Sequence, residues 1–168
     1  MLQMLSLRRV KNWKPILSEA TSSEDNHTLY FQLFLEIGII DQLASTAFES
    51  QLPHGLTQAQ FSILNHFTRL GDDKTPADLA SAFQVTRGTM TSTLQKLEAK
   101  GFVSLQPSPQ DGRSKRVFIT DDGRSAHTDA LKAAAPTLLR VNDALTDEDV
   151  RAILPTLQKL RKWLDENR

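Results

Sequence analysis

The chain reads as a mainly α protein with one small β-hairpin, and three observations predict it. Apolar residues recur at helical spacing from Thr28 onward, behind a series of threonines placed to cap helices. After Gly101 the period switches to two short extended runs, and helical spacing resumes behind Thr120. At 168 residues the expectation is one domain with appended helices. Four parts are expected: an N-terminal arm over 1–27, a first helix region over 28–55, a compact middle over 56–120 and C-terminal helices over 121–168.

Residues 15–27 lack apolar periodicity and read as a linker or weakly ordered arm. From Thr28 to about Ser50, Leu33, Ile37, Ile40, Ala44 and Ala47 share one helix face, while Leu29, Phe31, Phe34, Leu35, Ile39 and Phe48 add a second apolar flank. Thr57 and Gln60 have capping-box spacing, with Leu56 and Phe61 as the hydrophobic staple, and open a helix to about Leu70 that Gly71 ends. Thr75-Pro76-Ala77-Asp78 starts a short helix through Phe83, with proline where a missing N–H costs nothing. Thr86 caps the next, whose inward face is Met90, Leu94 and Leu97 and whose terminator is Gly101. Extended runs follow over Phe102–Gln106 and Val117–Ile119, joined by a long basic loop from Pro107 to Arg116. Thr120 caps a helix expected to reach Leu145 with a bend at Pro136. Thr146 to Asp149 opens a last helix carrying Val150, Ile153, Leu154, Leu157, Leu160 and Leu164, with Pro155 as a kink.

Composition removes several function classes. The absence of cysteine excludes disulfide frameworks, thiolate metal sites and thiol switches. The longest apolar stretch, Leu29 to Ile40, is interrupted by Gln32, Glu36 and Gly38 and is too short to cross a membrane. The N-terminus places apolar residues before its cations, the reverse of a secretory signal, so a cytoplasmic protein is expected. Twenty cations balance twenty acids, yet 84–120 holds six cations against two acids and 1–14 holds four cations against none. A neutral chain with a basic middle segment suits a polyanionic partner.

Two helices joined by a tight turn, followed by a hairpin with a basic tip, are the order of a winged helix-turn-helix. In the second helix the face opposite Met90, Leu94 and Leu97 carries Gly88, Ser92 and Gln95, flanked by Thr89, Thr91 and Lys96, with Arg87 at the start. Small and hydrogen-bonding residues are what base-edge reading needs, although any amphipathic helix has a solvated polar face. In the loop, Arg113, Ser114, Lys115 and Arg116 form a basic surface, and Asp111 can hold an arginine extended toward a narrow minor groove.

These residues resemble the MarR family of bacterial transcription regulators. The resemblance is carried by Leu79-Ala80, by Val85 to Thr91, by Leu94 to Val103 and above all by Asp111 to Gly123, with its Asp-x-Arg wing and its apolar-Thr-x-x-Gly step into the next helix. Ile119 stands where leucine is commoner, and the arm over 1–27 is longer than the family's usual entry. The resemblance implies N- and C-terminal dimerisation helices (28–55 and 121–168) around the winged helix-turn-helix. It also implies a homodimer on double-stranded DNA, and repression of a palindromic operator relieved by a small aromatic or apolar effector. By the same resemblance Asp111 buttresses the wing and Arg113 is its minor-groove contact.

Other classes find less support. No Gly-x-Ser-x-Gly or His-Glu-x-x-His is present, and Gly71-Asp72-Asp73-Lys74-Thr75 lacks the glycine before lysine that a phosphate loop needs. No enzyme, cofactor or metal site is therefore expected. His27, His54, His66 and His127 are scattered and read as surface or interhelix hydrogen-bonders, and Asp72-Asp73 reads as a turn. A winged helix used only for protein contacts is the alternative.

Overall fold

The structure is a computed structural model that describes residues 23–109 and 114–167, with side chains from residue 27 onward. Asp111 and Arg113, and the expected arm up to residue 22, lie outside the described residues. Six helices and two strands follow in order: α1 (Ser23–Glu49), α2 (Gln58–Leu70), α3 (Pro76–Ala82), α4 (Arg87–Ala99), β1 (Val103–Pro107), β2 (Lys115–Ile119), α5 (Asp121–Leu139) and α6 (Asp147–Glu166). The chain divides into two units, 1–42 and 43–168.

Within 43–168 every expected cap is made. The Thr57 hydroxyl accepts from the Gln60 N–H while the Gln60 side chain accepts from the Thr57 N–H, and Thr75/Asp78 and Thr146/Asp149 form the same reciprocal box. Thr86 and Thr120 cap α4 and α5 through the N–H groups of Thr89 and Gly123. Each box satisfies two backbone donors that a helix start leaves orphaned. The core these helices close over contains Ile63, Leu64 and Phe67 of α2, Leu79 of α3, Met90, Leu94 and Leu97 of α4, Val103 and Val117 of the hairpin, and Ala126 and Ala130 of α5. Small alanines on α5 let that helix approach α2 closely.

Three boundaries differ from the sequence reading. Helix α1 is already helical at Ser23, the first described residue, inside the expected arm, because apolar periodicity marks where a helix packs and is blind to a polar lead-in turn. Lys115 and Arg116 belong to β2, paired with Pro107 and Gln106, rather than to the loop: charged residues broke the apolar alternation, but a hairpin end in solvent tolerates them. Helix α5 ends at Leu139 and passes into a 3-10 turn over Arg140–Asp143 instead of running to Leu145, since Pro136 brings no N–H to the last turns. Pro155, by contrast, lies inside α6 without ending it.

In the 1–42 unit, the described part of α1 is apolar around its circumference and unburied: Tyr30, Phe31 and Ile40 are about 60% exposed or more. Helix α6 buries none of its residues, leaving Ile153, Leu157, Trp163 and Leu164 in solvent. Of the phenylalanines in α1 and α2, Phe61 and Phe67 fill the core and Phe31 and Phe34 are exposed.

The step from β2 into α5 explains its own sequence. The Thr120 hydroxyl donates to the Gly101 carbonyl at 2.7 Å and accepts from the Gly123 N–H at 3.0 Å. That draws the first turn of α5 onto Phe102, and a Cβ at Gly123 would collide with the Phe102 carbonyl and sit 2.9 Å from an Ile119 side-chain carbon. Gly123→Ala should therefore destabilise the protein by about 1–3 kcal/mol through overpacking against backbone. Urea denaturation measures it, and an unchanged midpoint would refute the close approach.

Candidate nucleic-acid interface

Helix α4 presents one buried face, Met90, Leu94 and Leu97, so its opposite face is fixed in solvent. Arg87, Gly88, Thr89, Thr91, Ser92, Gln95 and Lys96 are all exposed there, in the orientation the helical period required. Their hydrogen bonding separates them into two groups. Thr89 shares its hydroxyl with Thr86 at 2.8 Å, and Thr91 donates to the Arg87 carbonyl at 2.8 Å, so both are partly spent within the helix. Among the described residues, the side chains of Arg87, Ser92, Gln95 and Lys96 make no hydrogen bond or ion pair. A Cβ at Gly88 would meet only the Thr86 hydroxyl, at an ordinary 3.9 Å, so among the described residues nothing requires a glycine there.

The hairpin continues this surface. β1 and β2 are antiparallel with Val103 opposite Ile119 and Pro107 opposite Lys115, and the Ser108 N–H donates to the Ser114 carbonyl at 2.8 Å where the tip begins. Lys115 is exposed and Ser114 half-buried at the edge of that tip. Arg116 is placed differently from the sequence reading. Its Nε donates to Asp73 Oδ1 at 2.6 Å and its Nη2 to the Asp73 carbonyl at 2.7 Å, so the guanidinium is turned toward the α2–α3 turn. That hydrogen bond, reinforced by the charge, holds the Asp73 carboxyl below its ordinary value and raises Arg116.

Two other cations have structural duties. Lys100 Nζ donates to the His54 and Gly55 carbonyls at 2.7 and 3.1 Å, locking the α1–α2 loop to the end of α4. Arg124 lies 3.5 Å from Asp72. Sequence reasoning took Asp72-Asp73 only as a turn and passed over Glu98, because each acts on a partner far along the chain or across an element boundary. The available signal was an acidic pair in a turn within a fold that also contains a basic strand.

Among the described residues no group of three His, Asp or Glu side chains is placed to hold a metal, and no helix is long and apolar enough to cross a membrane. The histidines are interhelix pieces where they are buried. His127 on α5 stacks on Phe61 with ring centroids 5.4 Å apart and lies 3.2 Å from Asn65 Oδ1.

A capped helix with a free polar face, preceded by a tight turn and followed by a basic hairpin, is the reading head of a winged helix-turn-helix DNA-binding regulator. The comparisons agree. Residues 54–114 match the model of the MarR family. The transcriptional activatory protein BadR of Rhodopseudomonas palustris is 27% identical over 139 residues, 82% of this chain and 77% of that relative. The crystal structure of the transcriptional regulator BldR from Sulfolobus solfataricus superposes with a TM-score of 0.70 at 25% identity, covering 84% of this chain and 99% of that one. A cysteine mutant of MarR from E. coli complexed with operator DNA gives a TM-score of 0.65 at 25% identity, over 83% of this chain and 99% of that one. Over residues 54–114 the chain is thus similar to the MarR family of transcription regulators, and its fold matches theirs. Its helices and two-stranded hairpin have the winged-helix arrangement of those regulators.

The buried imidazole sets a pH dependence. Burial pushes His127 below its ordinary 6.5, and burial followed by the charge of Lys74 does the same to His66. The unfolded chain then binds protons that the fold resists, so these histidines' contribution to stability is flat above about pH 6.5 and falls as pH drops below it toward the folded-state values. Urea midpoints at about pH 7.5 and about pH 5.5 should differ in that direction, and His127→Phe should reduce the difference. An undiminished slope in that variant would place the effect elsewhere.

Proposed function

We propose that the protein is a ligand-responsive repressor that binds a palindromic operator as a homodimer. In this reading 56–120 reads the DNA, 28–55 and 121–168 hold the dimer, and each subunit contributes one recognition helix and one wing. The observation that carries it is the face of α4 on which Arg87, Ser92, Gln95 and Lys96 are exposed without partners, beside the basic edge of the hairpin. Polar side chains with unspent donors and acceptors on a rigid helix are what the major groove's pattern of base edges selects for. Gly88 leaves the backbone free to approach a phosphate at the helix N-terminus. Ser114 and Lys115, with Asp111 and Arg113 as the sequence resemblance implies, supply the adjacent wing contacts.

Dimerisation is supported by the exposed apolar surface of α1 and the exposed apolar face of α6, since such helix surfaces are stable only when covered. The same surplus supports an apolar or aromatic effector, which acts only through unequal affinity for the DNA-ready and DNA-unready dimers. Repression then follows from occupancy of the operator. Light scattering at micromolar concentration should give twice the monomer mass, and a monomer that binds DNA tightly would refute the assembly.

The direct test is a gel-shift scan of the DNA flanking the protein's own reading frame, followed by variants on the retained fragment. Gln95→Ala should cost about 1–3 kcal/mol on that fragment and relax sequence preference. Lys115→Ala should weaken binding to all sequences alike and lower the slope of log K against log salt by about one contact's worth. If Gln95→Ala weakens random DNA as much as the selected fragment, the α4 face does not read bases.

A further inference from the structure

We propose that Asp73 is a positioning residue for DNA binding: by gripping Arg116 and the outer edge of β2 it sets where the wing stands relative to the recognition helix. The inference rests on the DNA-binding reading above and assigns a role to a turn that takes no part in it directly.

Asp73 makes three hydrogen bonds to β2. Beside the two from Arg116, its own N–H donates to the Val117 carbonyl at 3.0 Å, and the neighbouring Lys74 carbonyl accepts from the Val117 N–H at 2.9 Å. Its backbone adopts φ +62°, the left-handed region that non-glycine residues rarely enter and that aspartate and asparagine tolerate best. That conformation lets N–H, carbonyl and carboxylate of one residue all face the same strand. Asp72 extends the grip: its carboxylate accepts from the Ile119 N–H at 3.2 Å and lies 3.5 Å from Arg124 on α5.

The hairpin is held from its other edge as well. Leu105 and Val117 face each other across the two strands, so their N–H groups point outward. The Leu105 N–H donates to Glu98 Oε1 at 3.1 Å, on the last turn of α4. The wing therefore stands between two carboxylates, one on the recognition helix and one on the turn before the helix-turn-helix. Arg116 is half-buried and Asp73 about half exposed, and such ion pairs add little to global stability. Their consequence is geometric: a hairpin pinned at both edges offers Lys115 to the DNA backbone in one place, which removes an ordering cost from binding.

Four proteins test this by fluorescence anisotropy on a duplex selected by the wild type: wild type, Asp73→Asn, Arg116→Gln and the double variant. Asparagine keeps the left-handed backbone and removes the charge. Each single variant should bind about tenfold more weakly, a coupling usual between contacting residues, and the double variant no more weakly than either. Their salt slopes should fall alike, with the thermal midpoint unchanged. Independently, amide exchange at Val117 should quicken in free Asp73→Asn. Tighter binding and a steeper salt slope in Asp73→Asn would show that Asp73 merely competes with phosphate for Arg116, and would overturn the proposal. Additive losses would do the same by making Arg116 an independent DNA contact, as would a lowered thermal midpoint in both single variants. A wild type that retains no duplex at all would instead refute the DNA-binding reading itself.

Discussion

A two-stranded hairpin is at best marginally stable in water, so the wing of this protein exists only because something holds it. What holds it is the pairing of β2 with the turn at Asp72–Lys74, where backbone bonds to Val117 and side-chain bonds to Arg116 and Ile119 make a short third strand in effect. Val117 is fully buried beneath that junction, in the same cluster as Ile63, Leu79 and Leu94. The helix-turn-helix and the wing thus share a core, and neither moves without disturbing it.

From that constraint the rest of the reading head follows. Burying Met90, Leu94 and Leu97 fixes the rotation of α4 and exposes Ser92 and Gln95. Glu98, one turn after Leu94, reaches the outward N–H of Leu105 and ties α4 to β1. Thr120 and Gly123 then bring α5 onto the hairpin's base, and Arg124 reaches Asp72 from its first turns. The two acids of one turn contact strand and helix together, so a shift of α5 has a physical route to the wing through rigid, hydrogen-bonded groups.

The legible features were local ones. Capping threonines 57, 75, 86, 120 and 146 announce themselves because cap and partner lie three residues apart. The inward face of α4 was legible for the same reason, its period being set within one helix. Asp73 was not, since its partner Arg116 is 43 residues away and nothing in either neighbourhood names the other. The true start of β2 at Lys115 was hidden by its charges, and the end of α5 at Leu139 by an apolar pattern that continues past the helix. Tertiary pairing decided those boundaries.

The central claim is that recognition helix and wing act as one preset DNA-binding surface. Amide hydrogen exchange of the full chain, with and without saturating duplex DNA at low salt, tests it most directly. The account predicts that exchange slows together over residues 87–96 and 115–119. Slowing confined to one of these segments, or absent from both while DNA is bound, would contradict it.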